Sequence, residues 1–165
     1  MIVLDAILHS AIEPAFRLLP KRMATEQARV LLLAITLQEA DGIYRAQHGG
    51  GPAHGLWQFE EGGGVAGVLR HPMSREWARA VCYSQGVSPV TTAVWTKLPY
   101  DDVLAAAFAR LLLWTSFLPL PETDDMRGGW NYYLGLWRPG KPKPSKWPRA
   151  HRAARSQILT TRSKV

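Results

Sequence analysis

Residues 26–42 read EQARVLLLAITLQEADG, and this stretch decides the fold class. Thr25 ahead of it is an N-cap residue type, Glu26 suits the positive end of a helix dipole, and Gly42 is a natural C′ residue. Between residues 28 and 37 the run is apolar almost all round, the pattern of a helix packed on every side. Glu39 therefore ends a buried helix. Burial and the negative end of the helix dipole both raise a carboxyl pKa, which suits a general acid near neutral pH. The bland alternative has Glu39 pointing into solvent, paired with Arg45.

A second helix of the same kind is predicted for residues 103–114, VLAAAFARLLLW, with Asp101 or Asp102 as N-cap and a stop over residues 117–121, where Pro119 and Pro121 bracket Leu120. Residues 3–19 carry Val3, Ile7, Leu8, Ile12, Phe16 and Leu19 at helical spacing, with Pro14 expected to kink that pattern or begin a second helix. Residues 74–83 read as a helix with Trp77, Ala80 and Val81 as its apolar side, residues 88–96 as another, and GGWNYYLGLW as a short one. Glycine-rich chain fills residues 48–67, with at most a short hairpin around GLWQFE. The expected class is all-α, with a central helix surrounded by others.

Length fits one domain, and 47% apolar residues suffice for a core. The net charge of +7 is uneven: residues 138–165 hold nine Lys or Arg and no acid. Residues 1–137 are thus read as the main domain, and residues 138–165 as a basic, proline-rich extension whose first part, RPGKPKPSKWP, is extended surface chain and whose second, RAHRAARSQIL, is a basic helical stretch. A polyanion is the partner such an extension suits. Cys82 is the one cysteine, so an intramolecular disulfide is excluded, and it is expected in the core. His48, His54 and His71 lack a metal-ligand spacing, Ser10 and Ser74 lack a nucleophile context, and no GK[ST] follows the glycine runs. No cofactor or metal is expected. The acidic residues Asp5 and Glu13 in the first stretch argue against a secretory leader, and no apolar run is long enough to predict a membrane span.

Residues 38–59, QEADGIYRAQHGGGPAHGLWQF, resemble the signature of lytic transglycosylases and goose-type lysozymes: a helix-ending catalytic Glu, a polar loop, then a Gly-Leu-Met-Gln turn. Glu39 falls on the catalytic position and Gly55-Leu56-Trp57-Gln58 on the turn, with Trp57 in place of Met and Ala40 in place of the usual Ser after the acid. NYYLGLW stands where transglycosylases carry an Ala-Tyr-Asn-Ala-Gly segment, so Tyr133, or failing that Tyr132, would reach the site. The resemblance implies a lysozyme-like fold and cleavage of the N-acetylmuramic acid to N-acetylglucosamine bond, with Glu39 as acid/base. It implies that Gln58 and Gly55 line the cleft, satisfaction of the loop backbone being the other role open to Gln58. Sugar-binding clefts stack aromatic faces on pyranose rings, and of the seven tryptophans Trp57, the one within the motif, is read as such a residue and most of the others as packing. Glu60 falls where goose-type enzymes place an auxiliary acid, so hydrolase and transglycosylase both stay open; Glu61 beside it is read as solvent-facing.

Beyond the motif, the chain is similar to small phage-encoded lysozyme-like proteins, which implies carriage in a virion and action on the host cell wall in the periplasm. Other virion proteins are then implied as partners. Two further readings stand beside this one: a virion component that keeps such a fold without activity, and a nucleic-acid-binding accessory protein, suggested by the basic extension.

Overall fold

The computed structural model describes residues 2–163, and within them every regular element is helical. Met1, Lys164 and Val165 lie outside the described residues, the last two belonging to the stretch read as a basic extension. The first helical rod runs α1 (Ile2–Ile7), a π-turn (Leu8–Ile12) and α2 (Glu13–Arg17). Pro14 neither stops nor breaks it. Glu13 N–H donates to Leu8 O, five residues back, so the π spacing absorbs the proline within the first turn of α2.

The central helix α3 (Glu26–Ala40) starts where Thr25 Oγ1 accepts from Ala28 N at 3.1 Å. It ends on Asp41 in the left-handed region at φ 52°, followed by Gly42 at φ 70°. A Cβ on Gly42 would stand 3.1 Å from Val3 Cγ1 and 3.3 Å from Ile7 Cδ1, so the turn that ends α3 also packs on α1. As the uninterrupted apolar run predicts, residues 30–36 are all buried.

After a glycine-rich loop come α4 (Ala66–Arg70), α5 (Arg75–Ser84), α6 (Thr91–Lys97) and α7 (Asp102–Trp114). Asp101 Oδ1 caps α7 by accepting from Leu104 N at 2.9 Å, and residues 104–113 are buried throughout. The buried side of α5 is Ala78, Val81 and Cys82; Trp77 and Ala80 face outward, a correction to the expected face that follows from the i, i+3, i+4 spacing of the three. Burial pushes the Cys82 thiol up to about 11, so it is an inert core residue.

The expected hairpin exists only as isolated bridges. His54 and Phe59 exchange two backbone hydrogen bonds of 2.9 Å around the Gly55-Leu56-Trp57-Gln58 turn, and His54 also bridges Ala46.

α8 (Met126–Trp137) is capped by Asp125, and α9 (Trp147–Arg162) closes the described chain. Residues 138–146 are irregular, as read from the prolines, but the view of residues 138–165 as an extension needs correcting. α9 lies along α3 and buries Trp147, Ala150, His151, Ala154, Gln157 and Ile158 against the core. Its basic residues occupy the opposite face of an amphipathic helix, which is why charge counting hid its role. Among the described residues, no helix is long and apolar enough to cross a membrane.

Candidate active site

Glu39 stands in the last turn of α3 beside a cleft of about 1240 Å³. The cleft is walled by the end of α3, the hairpin turn and the glycine loop after it, one face of α8, and the irregular 138–146 segment. The local sequence sets these walls in place through three hydrogen bonds, two of them fully buried. Leu32 and Thr36 share one face of α3, four residues apart. Trp57 Nε1 donates to Leu32 O at 2.9 Å, and Thr36 Oγ1 donates to Leu56 O at 2.8 Å, docking the turn on the helix. Trp137 Nε1 then donates to Trp57 O at 2.9 Å, docking α8 on the turn.

Tyr133, on α8, donates its hydroxyl to Glu39 Oε1. Its ring stacks on Trp147 at 5.5 Å and 11°, and lies 5.4 Å from Trp130 and 6.2 Å from Trp137, so packing aims the hydroxyl. Burial, then the charge and hydrogen bond of Glu39, raise the Tyr133 pKa well beyond its ordinary value, and the phenol remains a donor. Burial likewise raises the Glu39 carboxyl above its ordinary value. The Tyr133 hydrogen bond opposes that rise, as do the charges of Lys146 and Lys143. Glu39 does not pair with Arg45, which forms a bidentate bridge to Asp102 at 2.6 and 2.8 Å.

Gln58 lines the cleft at φ 52° and folds its amide back, Nε2 donating to Gly55 O at 2.9 Å. Glu60 is exposed in the same cleft and, among the described residues, forms no ion pair or side-chain hydrogen bond. Its neighbour Glu61 is not simply solvent-facing: its carboxylate accepts from Thr92 Oγ1 at 2.6 Å and Thr91 Oγ1 at 3.3 Å, tying the loop to α6.

Three expected site residues stand elsewhere. Trp57 is 1% exposed, its indole spent on α3, so it offers no face for a sugar. Gly55 is buried away from the cleft wall; at φ 79°, with a Cβ position 3.2 Å from Leu98 Cβ, it is a turn residue. Tyr132 turns its hydroxyl to Leu113 O and Leu118 O on the far side of α8.

No protein-family model, curated protein or solved structure matches this chain.

The expectations from sequence left out the cleft's cationic wall. Arg138, Lys141, Lys143 and Lys146 all line it. Lys146 Nζ pairs with Asp41 Oδ1 at 2.6 Å and donates to Gln38 O at 3.0 Å, while Gln38 Nε2 donates to Lys143 O at 3.0 Å. Alternating Pro and Lys was the available signal, and it specified extended chain without saying what that chain crosses. Among the described residues, no three His, Cys, Asp or Glu side chains gather as a metal site.

Such a cleft can bind an extended polar polymer and hand it a proton. Glu39 is partly sheltered, is oriented by one donor, and shares the cleft with a second carboxylate at Glu60.

Proposed function

We propose that the chain is a glycosidase acting on peptidoglycan, with Glu39 as the acid that protonates the departing glycosidic oxygen. The reading is carried by the Glu39–Tyr133 pair inside the cleft: a carboxyl whose proton affinity is raised by burial, held in one orientation by a phenol. The likeness of residues 38–59 to transglycosylases and goose-type lysozymes supports the same assignment, as does an all-helical body around a buried central helix.

In this reading Glu39 gives its proton to the bridging oxygen as the bond to the muramoyl carbon breaks and positive charge develops on that sugar. Attack then comes from the sugar's own 6-hydroxyl, with Glu39 taking the hydroxyl proton, or from water whose proton passes to Glu60. The first path leaves an anhydro end, the second a reducing end. Gln58 and Tyr133 bind and orient; Trp57 and Gly55 hold the turn. The setting consistent with the resemblance is a phage particle that opens the cell wall locally.

The test adds purified protein and Glu39→Gln to peptidoglycan, following turbidity and the mass of released fragments. Clearance by the wild type alone supports the assignment. Clearance by both removes Glu39 from its role, and clearance by neither leaves a structural virion component in front.

A second reading has its own observation: Arg149, Arg152 and Arg155 form an exposed cationic stripe on α9, suited to a polyanion. Replacing Arg152 and Arg155 by Gln would flatten the salt dependence of DNA binding if that stripe carries it.

A further inference from the structure

Residues 138–146 form a strap between α8 and α9. Pro139, Pro142 and Pro144 restrict its backbone, Lys143 O is fixed by Gln38 Nε2, and Lys146 Nζ is fixed by Gln38 O and Asp41. A turn at its base, Lys146 N to Lys143 O at 3.2 Å and Trp147 N to Pro144 O at 3.3 Å, leads into buried Trp147. The strap is thus anchored at its C-terminal end and stiff along its length.

It carries more positive charge than the protein itself uses. Lys146 is neutralised by Asp41, but Arg138, Lys141 and Lys143 are exposed, line the cleft, and have no carboxylate at pairing distance among the described residues. Lys143 is close enough that its charge acts on Glu39. Beside it, the Gln38 side-chain carbonyl is buried and accepts no hydrogen bond in the structure. Where the lactyl carboxyl of muramic acid is tied up in its amide to the peptide, the glycan backbone is neutral and offers three displayed cations no ion pair. The carboxylates in peptidoglycan belong to the peptides carried on the lactyl arm of muramic acid.

We infer that the strap is a specificity element: Lys141 and Lys143, with Arg138, receive peptide carboxylates, so the enzyme favours glycan that carries its peptides over neutral glycan without them. This rests on the glycosidase reading above. Presenting the cations on a pinned segment lowers the entropy lost when they engage a ligand.

The experiment measures binding of two muramic-acid disaccharides, one bearing its peptide and one with its lactyl carboxyl capped as the simple amide, to Glu39→Gln protein by calorimetry, with and without K141Q/K143Q. In parallel, kcat/KM of the wild-type and K141Q/K143Q enzymes is measured on peptide-bearing glycan and on amidase-treated glycan whose freed lactyl carboxyls have been amidated. The peptide should tighten binding about tenfold at low salt, as two exposed ion pairs can supply, and K141Q/K143Q should remove most of that preference. K141R/K143R should restore it, and added salt should erode it. Equal binding of both disaccharides, or a preference untouched by K141Q/K143Q, overturns the inference while leaving the glycosidase intact. If neither disaccharide binds and the wild type releases no fragments, the glycosidase reading fails and takes this one with it. Titration of the same K141Q/K143Q variant with duplex DNA completes the set, and a loss confined to that ligand would give the strap to nucleic acid and overturn the inference equally.

Discussion

The hydroxyl of Tyr133, carried on α8, donates to Glu39 Oε1 at the end of α3, joining two helices that sequence alone separates by 94 positions. That hydrogen bond favours the ionised carboxylate, whereas burial favours the protonated acid, and burial is the larger influence. Tyr133→Phe should therefore move the alkaline limb of the pH–activity profile upward. It should also lower kcat by about tenfold or more, since a hydrogen bond to a charged group contributes ~1.5–3 kcal/mol. An unmoved limb would mean that Tyr133 does not act on the titrating group.

Lys146 is the next influence on Glu39, through charge alone. Lys146→Met removes a favourable charge, so the alkaline limb should again shift upward, and its salt dependence should weaken. Lys146→Arg should keep the wild-type profile. A downward shift in the Met variant would contradict the sign assigned here.

Stability should carry the same signature. The folded carboxyl of Glu39 has a raised pKa, so its contribution is fully present below the unfolded value near 4.5 and is lost as pH rises through the folded value. Glu39→Gln, which cannot ionise, should match the wild type near pH 4 and melt higher at pH 8. Each 1 kcal/mol recovered corresponds to ~2–4 °C in a domain of this size. Equal melting temperatures at both pH values would show that Glu39 is solvated.

Trp57 is a packing residue despite its place in the motif. Trp57→Ala should destabilise by ~3–5 kcal/mol, and Trp57→Phe, which loses the hydrogen bond to Leu32 O, by about 1 kcal/mol. Denaturant titration measures both. Unchanged stability with weakened glycan binding would return Trp57 to the cleft.

Removal of residues 138–165 should abolish cooperative thermal unfolding, because it strips α9 from α3 and leaves Leu31 and Tyr133 uncovered beside the vacated Trp147 site. Circular dichroism melting of the truncated chain provides the measurement. A sharp transition would show that the first 137 residues fold alone.

Features that depend on local patterning are legible in the residues alone. Unbroken apolar runs made α3 and α7 central, Thr25 and Asp101 set where they begin, and Gly42 set where α3 ends. The same run put Glu39 at a sheltered helix end. Which neighbours that end acquires follows from packing between distant segments. Adjacent residues on a helix point about 100° apart, so of Tyr132 and Tyr133 only one can face α3, and the stack on Trp147 selects Tyr133. Trp57 left the cleft because Leu32 O lay within reach of its indole, a pairing across 25 positions. The basic end of the chain became core and cleft wall because α9 has an apolar face that fits α3, and charge composition carries no information about which face is turned inward.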